Sequence, residues 1–152
     1  MELPSKRRLQ LDKGSEGTHV AHASTVTVGE RALLIFGPSG SGKSGLALQL
    51  MALGALLVAD DRTVLSTRNE AVWAHAPEPI KGQIEAQGIG ILRVPSCAEA
   101  RVVLTLDMAQ VERARMPPPR QIEVLGCTLP CLHKVEAGHF ASALMHYLAV
   151  DE

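Results

Sequence analysis

The residues with the clearest chemical meaning follow a short apolar run. The pattern G-x-x-x-x-G-K-[ST] is matched at every fixed position by Gly37, Pro38, Ser39, Gly40, Ser41, Gly42, Lys43 and Ser44. Glycines in such a loop let backbone N–H groups converge on phosphate oxygens, and the N-terminus of the following helix adds partial positive charge. Lys43 can reach the β- and γ-phosphates, and the Ser44 hydroxyl can ligate Mg²⁺. The loop therefore predicts a site for ATP and Mg²⁺.

Two consecutive aspartates are the second chemical feature. Ala55–Ala59 predicts a short buried strand that ends in Asp60 and Asp61. A strand so soon after the loop helix should run parallel to the loop's own strand, with its carboxyl end at the same crevice. Two carboxylates there can divide the work, one near Mg²⁺ and the other near an attacking hydroxyl. A solvated Asp-Asp turn is the structural alternative.

Mostly short strands must position these groups. Ala32–Phe36 predicts the strand before the loop and Ser44–Leu53 the helix after it. Further strands are expected at Thr18–Val28, Thr63–Ser66, Ala71–His75, Ile89–Val94, Arg101–Asp107, Ile122–Leu125 and Cys127–Leu132. Met108–Met116 is expected to add a helical turn or two, and His139–Leu148 a closing amphipathic helix with Phe140, Leu144, Tyr147 and Leu148 on its apolar side.

Length and composition limit the protein class. The 152 residues suit one domain over residues 18–150, preceded by a flexible polar and basic arm over residues 1–17. With 46% hydrophobic but only 3% aromatic residues, the core must be aliphatic. A net charge of −1 argues against a nucleic-acid partner, and the lack of an 18-residue apolar stretch or signal segment argues against a membrane. Three cysteines and a nucleotide site favour a cytoplasmic location.

Three further features are ambiguous by themselves. Cys127, Cys131, His133 and His139 supply four possible zinc ligands, but their spacing falls on an expected strand, so buried cysteines and no zinc are predicted. His22 lies in the first strand, where a histidine is usually structural. The Gly88-Ile89-Gly90 segment suggests close backbone approach at the edge of a site.

Four of these elements, taken in order, resemble the catalytic domain of bacterial HPr kinase/phosphorylase. That family carries a histidine in a strand before a G-x-S-G-x-G-K-S loop, then a strand ending in V-A-D-D, and further on an E-x-R-G-x-G-I segment. The counterparts here are His22, the loop at residues 37–44, Val58–Asp61 and Glu85–Ile91. The resemblance covers about half of the chain.

The resemblance implies a fold and an activity. The fold would be α/β, a P-loop domain like that of phosphoenolpyruvate carboxykinase, with a mixed, strand-rich sheet and few helices. The family transfers a phosphoryl group from ATP to a serine of the small phosphocarrier HPr, which regulates a phosphotransferase system, and it can reverse the transfer by phosphorolysis. Its members are hexamers, which implies a homo-oligomer. Asp60 would be the general base, assisted by Asp61 and His22, and Ser44 and Glu85 would hold Mg²⁺.

Departures from the family pattern leave alternatives open. The residues before the His22 strand are too few for the family's N-terminal domain, so the resemblance is to a short form. Gln87 replaces the arginine of E-x-R-G, and Leu129–His139 stands in place of a C-terminal docking segment with only Lys134 as a cation. Kinase activity is therefore better supported than phosphorolysis. A P-loop kinase of small molecules and a non-catalytic ATP-sensing module are the alternatives.

Overall fold

Twelve strands and two α-helices make up the fold in the part of the chain that the computed structural model describes, residues 7–150. The strands are β1 Asp12–Lys13, β2 His19–Ala21, β3 Ala23–Val28, β4 Arg31–Phe36, β5 Leu56–Ala59, β6 Thr63–Arg68, β7 Ala71–His75, β8 Gln83–Ala86, β9 Gly90–Arg93, β10 Ala100–Val111, β11 Gln121–Val124 and β12 Cys127–Lys134. The helices are α1 Lys43–Ala52 and α2 Phe140–Ala149, and Glu78–Ile80 forms one 3₁₀ turn.

One mixed sheet carries ten of these strands. Its main path runs β1-β2-β6-β7-β10-β4-β3-β5, and the β11–β12 hairpin joins it through β12, which lies parallel to β10. Strand β10 is also parallel to β4, the loop strand, with Asp107 opposite Phe36. Strand β3 is antiparallel to both β4 and β5, so β5 runs in the same direction as β4. The predicted parallel relation holds, and it brings the ends of both strands to one edge.

Both faces of the loop strand are buried, which explains its continuous apolar sequence. Leu34 and Phe36 pack into a core with β2, β6, β7 and β11. Leu33 and Ile35 point to the other face, where they pack against the two helices through residues such as Leu50. The β8–β9 hairpin forms a separate two-stranded sheet, and its Ile84 belongs to this second core.

Three pairs of strands that follow each other in the sequence form hairpins. Gly29 turns β3 into β4, and the β6–β7 pair turns at Asn69 and Glu70, both with positive φ. The β11–β12 hairpin turns at Leu125 and Gly126. These pairings are local, so the alternation of apolar residues and the turn residues are enough to predict them.

The prediction of one strand over Thr18–Val28 was wrong. The chain bends at His22, so that β2 pairs with β6 while β3 pairs with β4 and β5. Ala23 N–H also donates to the Asp61 carbonyl, at 3.0 Å. The two halves of the predicted strand therefore pair with different strands. Residues distant in sequence determine this pairing, so the local residue pattern does not predict it.

The helical turn predicted over Met108–Met116 was also wrong. Strand β10 continues to Val111 because β12 pairs with it as far as Lys134, and the following residues up to the triple proline form no helix. Gly88 and Gly90 both have positive φ and shape the turn between β8 and β9. A Cβ added at either position would have no protein atom within 4 Å, so neither glycine is needed for a close approach to another part of the described chain.

The closing helix is confirmed as α2, with Leu144 and Leu148 buried against α1. Tyr147, which was predicted on the apolar face, is 47% exposed. Neither α-helix in the described part of the chain is long enough to cross a membrane.

Residues 1–6 of the predicted arm lie outside the described residues, but the remainder makes specific contacts. Glu123 N–H donates to the Arg7 carbonyl at 2.7 Å, and Leu9 N–H donates to the Glu123 carbonyl at 3.0 Å. Asp12 and Lys13 form β1 and pair with β2. The described part of the arm thus lies along the sheet edge near the phosphate loop.

Candidate active site

The loop at residues 37–44 joins the end of β4 to the start of α1. Gly42 is the helix N-cap with φ of 96°, and no side chain caps the helix, so its first N–H groups stay available to an anion. Gly37 has φ of 149°, and a Cβ there would lie 3.0 Å from both Met108 Cβ and Ser41 Oγ. Glycine is favoured at this position because side chains rarely adopt this φ and because β10 passes so close.

Lys43 folds back over this loop. Its side chain is buried, and Nζ donates to the carbonyl oxygens of Gly37 at 2.9 Å and Pro38 at 3.1 Å. These bonds hold the ammonium group inside the curve of the loop. Phosphate oxygens entering the loop would meet a cation that is already in place.

Asp60 directly follows β5 and is buried. Its Oδ1 accepts hydrogen bonds from Ser44 Oγ at 2.6 Å and from Ser24 Oγ at 2.8 Å. Its Oδ2 accepts from the Glu85 backbone N–H at 3.0 Å. Three donors therefore surround this carboxylate and tie together the loop helix, β3 and β8.

Asp61 has a different environment. Its backbone is left-handed, with φ of 66°, its N–H donates to Ser24 Oγ at 3.2 Å, and its side chain is exposed. It lines a cavity of about 620 Å³ together with Lys43 and His22. The acidic pair is thus split into one carboxylate held by the protein and one that faces the cavity.

His22 and Glu85 also reach this region. His22 Nε2 lies 2.9 Å from Asp12 Oδ2, both side chains are exposed, and the residue lies at the bend after β2, where it lines the cavity. Glu85 touches Asp60 through its backbone, and its side chain is exposed to solvent. The structure therefore brings together the loop, Asp60, Asp61, His22 and the Glu85 backbone.

Sequence reasoning missed two residues that line the same cavity, Arg7 and Asp107. Asp107 is 1% exposed and lies in β10 opposite Phe36, beside the start of the loop. Its Oδ1 accepts from Ala109 N–H at 2.9 Å, and its Oδ2 lies 2.5 Å from Arg7 Nη2. An acidic residue that ends the predicted strand was the available signal for Asp107, whereas no pattern distinguished Arg7.

The oxygen donors fit Mg²⁺. A hydroxyl and a carboxylate oxygen, Ser44 Oγ and Asp60 Oδ1, already lie 2.6 Å apart beside the phosphate loop. Mg²⁺ takes hard oxygen ligands and usually one or two from the protein, the others being phosphates and waters. Within residues 7–150, no group of three or more His, Cys, Asp and Glu side chains has the arrangement of a metal site.

The cysteines lie away from this cavity. Cys131 is buried in β12, and burial raises the pKa of its thiol. Cys127 is only partly buried, so the prediction of buried cysteines is confirmed for Cys131 alone. His133 Nδ1 accepts from Arg120 Nε at 3.3 Å. A larger cavity of about 1040 Å³ lies where β4 and β10 begin, at the opposite end from the loop, and contains none of the phosphate-loop or acidic-pair residues.

A phosphate loop between a buried strand and a helix, with a carboxylate bonded to its serine, defines a nucleotide-binding domain of the P-loop class. The family described as "HPr Serine kinase C-terminal domain" matches residues 15–110. The chain therefore belongs to this family, as the resemblance indicated.

Individual proteins support the assignment. The HPr kinase/phosphorylase of Bordetella pertussis is 38% identical over 88 residues, which cover 57% of this chain and 29% of that protein. The one from Caldicellulosiruptor bescii is 34% identical over 125 residues, covering 73% of this chain and 40% of that protein. The chain thus spans well under half the length of these relatives.

A solved structure extends the likeness to most of the fold. The HPr(Ser) kinase/phosphatase from Coxiella burnetii superposes with a TM-score of 0.71 at 25% identity, covering 85% of this chain and 87% of that one. The predicted fold class, α/β with a mixed, strand-rich sheet and few helices, is confirmed.

Proposed function

We propose that this protein is an ATP-dependent protein-serine kinase that acts on an HPr-type phosphocarrier and thereby regulates a phosphotransferase system. One observation carries the proposal. In a chain of the HPr serine kinase family, the phosphate loop and Asp61 line a single cavity, and the loop residue Ser44 donates through Oγ to Asp60 Oδ1 at 2.6 Å. A cytoplasmic location and a homo-oligomeric state are part of this proposal.

ATP and Mg²⁺ are the implied ligands. The loop amides and Lys43 would hold the phosphates, while Ser44 would hold Mg²⁺ with help from Glu85 or Asp60. When bound, Mg²⁺ neutralises part of the phosphate charge that otherwise repels an incoming hydroxyl oxygen. Asp60 is better placed than Asp61 to help hold the metal, because its Oδ1 lies 2.6 Å from Ser44 Oγ, the loop hydroxyl that would bind Mg²⁺.

Asp61 is then the better placed of the two to meet the acceptor. A bond forms between the acceptor's serine oxygen and the γ-phosphorus of ATP, the bond from that phosphorus to the β,γ-bridging oxygen breaks, and ADP leaves. The hydroxyl proton passes to the Asp61 carboxylate, with His22 close by in the same cavity. The family resemblance implied Asp60 as the base, and the exposed position of Asp61 is the reason for preferring Asp61 instead.

A protein acceptor suits the surroundings of the cavity. A kinase of small molecules encloses its substrate to exclude water, usually with a mobile lid. The hairpin next to Asp60 is short and presents Ile89 and Ile91, which are 79% and 63% exposed. His133 lies opposite Asp107, so the segment 133–139 begins at the same sheet edge. An acceptor protein could cover these surfaces with its own.

The test is phosphate transfer. Purified protein is incubated with ATP, Mg²⁺ and the phosphocarrier of the same organism, and the modified residue is located by mass spectrometry. The expected result is phosphoserine on the carrier with the wild type and none with Lys43→Ala. Lys81→Ala, which removes an exposed lysine outside the cavity, is the matched control and should transfer normally.

Other outcomes would identify the alternatives. Rapid phosphorylation of a small metabolite without any labelled carrier would favour a small-molecule kinase. Tight ATP binding with no transfer to any acceptor would favour a nucleotide sensor. Transfer of the phosphoryl group from the phosphoserine carrier to added inorganic phosphate, giving pyrophosphate and the unmodified serine, would add phosphorolysis to the activity.

A further inference from the structure

The described part of the N-terminal arm places an arginine at the phosphate loop. Backbone bonds to Glu123 hold the chain at Arg7 and Leu9, and the pairing of β1 with β2 and the 2.9 Å contact between Asp12 and His22 hold it again a few residues later. Between these two attachments the arm runs along the cavity that Lys43 and Asp61 line. Arg7 is therefore held beside this cavity by contacts that its own side chain does not make.

The Arg7 side chain points to the start of the loop. Its Cζ lies 5.5 Å from the centroid of the Phe36 ring, and Phe36 directly precedes Gly37. Its Nη2 lies 2.5 Å from Asp107 Oδ2, while the side chain remains 48% exposed. Stacking on the ring and pairing with the buried carboxylate together orient the guanidinium group.

The contact with Asp107 leaves donors of the guanidinium group available. In the described part of the chain, Asp107 Oδ2 has no hydrogen bond of good geometry. The contact between Arg7 and Asp107 is therefore an ion pair and not a bidentate pair of hydrogen bonds. A guanidinium group carries five N–H donors and matches phosphate oxygens well. Arg7 can keep its contact with Asp107 and present its exposed edge to an anion.

The charges around the cavity favour such an anion contact. Asp61 and Asp107 line the cavity together with Lys43, and ATP would add about four negative charges, more than Lys43 alone offsets. A further cation at the mouth of the loop would offset this repulsion. Arg8 also lines the cavity, but its Nε donates to Glu123 Oε2 at 2.9 Å and its side chain is 80% exposed, so Arg7 is the better placed of the two.

We propose that Arg7 is a phosphate-binding residue of the nucleotide site and that Asp107 is its positioning residue. This inference rests on the proposed function, in which the loop binds ATP. It adds the positive charge of Arg7, a residue of the N-terminal arm that belongs to none of the four family motifs. In this arrangement Arg7 contacts the terminal phosphates of ATP, and Asp107 keeps the guanidinium group at the loop between turnovers.

The experiment measures binding of ATP and AMP, each with Mg²⁺, by isothermal titration calorimetry. Arg7→Ala should weaken ATP binding about tenfold to a hundredfold and AMP binding far less, because AMP lacks the terminal phosphates. Arg7→Lys should recover part of the loss. Arg8→Ala, which removes the same charge one residue away, is the matched control and should bind both nucleotides as the wild type does.

A double variant separates phosphate contact from simple support of the fold. Arg7→Ala leaves Asp107 buried without its counter-charge, which could by itself disturb the loop. Arg7→Ala with Asp107→Asn removes that charge, and ATP binding should stay weak if Arg7 contacts phosphate. Recovery of wild-type ATP affinity in the double variant would overturn the proposal, as would equal losses for ATP and AMP.

The result also distinguishes this inference from the proposed function. If wild type and Arg7→Ala bind ATP equally while Lys43→Ala binds it poorly, the role of Arg7 is wrong and the kinase proposal stands. If the wild type binds no ATP, both are wrong. If binding depends on Arg7 but no carrier is phosphorylated, the phosphate contact stands and the acceptor is wrong.

Discussion

Asp60 and Asp61 are neighbours in the chain, yet their surroundings differ. Asp60 accepts hydrogen bonds from Ser24, Ser44 and Glu85, whereas Asp61 faces the cavity. An asparagine at either position has nearly the same shape as aspartate but cannot accept a proton and keeps only one oxygen. The two asparagine variants should therefore behave differently.

Asp60→Asn should lower stability and weaken use of Mg²⁺. If the asparagine turns its oxygen towards the two serines, its NH₂ group faces the Glu85 N–H. Two donors then face each other and no hydrogen bond forms between them. Loss of this buried bond should reduce the free energy of unfolding by about 1–3 kcal/mol. Urea unfolding measures this loss, and a titration of transfer rate with Mg²⁺ should show a raised requirement. Unchanged stability and an unchanged Mg²⁺ requirement would contradict the role given to Asp60.

Asp61→Asn should instead keep the stability of the wild type and lose phosphoryl transfer. Asparagine tolerates the left-handed conformation that residue 61 adopts, so stability should stay close to that of the wild type. Transfer should fall by about 10²–10⁴-fold, the usual contribution of a general base, while ATP affinity changes little. Single-turnover kinetics measures the rate of phosphoryl transfer, and isothermal titration calorimetry measures the affinity for ATP. If Asp60→Asn is the variant that loses transfer at full Mg²⁺ and Asp61→Asn is active, the base is Asp60.

The thiols offer a test of burial that is independent of function. Burial raises the pKa of the Cys131 thiol, so at a given pH it holds less of the reactive thiolate than an exposed cysteine. At about pH 8, close to the ordinary thiol pKa, Cys97 and Cys127 should react with a disulfide reagent first. Cys131 should react slowly until urea unfolds the chain. A slow phase that persists in Cys131→Ala would contradict this assignment.

At the scale of elements, strand β3 and helix α2 support the loop from two sides. Strand β3 lies between β4 and β5 and so sets the separation of the phosphate loop and the acidic pair. Helix α2 packs against α1 through Leu144 and Leu148, and α1 starts at Lys43. Disruption of α2 should therefore affect the loop as well as overall stability.

Leu148→Ala should reduce the free energy of unfolding by about 2–5 kcal/mol, since the side chain is fully buried and its removal leaves a cavity. Tyr147→Ala is the matched control on the same helix. Because Tyr147 is half exposed, its change should stay within about 0.5 kcal/mol. Chemical denaturation measures both. A larger loss for Tyr147→Ala would place the tyrosine in a contact that the structure does not contain.

At the scale of the molecule, the two cores lie on opposite faces of one sheet and share its strands. Leu33 and Leu34 are adjacent in β4 and belong to different cores. Unfolding of either core would break the strand that carries the loop. Ligand binding at the loop should thus stabilise the whole domain.

ATP with Mg²⁺ at about one hundred times its dissociation constant should add about 2.7 kcal/mol to the free energy of unfolding. For a domain of this size, that corresponds to a rise in Tm of roughly 5–11 °C. Differential scanning calorimetry measures the shift, which Lys43→Ala should abolish at the same ATP concentration. A shift of equal size in Lys43→Ala would place the nucleotide elsewhere, for example in the cavity where β4 and β10 begin.

Much of the architecture was predictable because it depends on residues close in sequence. The loop is eight consecutive residues, and its helix and the strand before Asp60 follow directly. Turn residues such as Gly29 and Gly126 mark hairpins whose strands pair with their neighbours. The family resemblance added the expected roles of His22 and Glu85, which remain predictions until tested.

The order of strands in the sheet depends on contacts between distant residues, and the sequence pattern does not contain it. Strand β10 is separated from β4 along the chain by a helix and several strands, yet the two pair directly, and this pairing brings Asp107 to the loop. The bend at His22 and the position of Arg7 likewise follow from pairing with β6 and from the backbone bonds to Glu123.

The sequence by itself thus determined that a phosphate-binding loop and an acidic pair exist and that they share an edge. Only the tertiary structure decided which carboxylate is enclosed, which one is accessible, and that Arg7 and Asp107 join them. The physical reason is that burial and ion pairing depend on which distant segments pack together, whereas the loop's conformation is set by its own glycines.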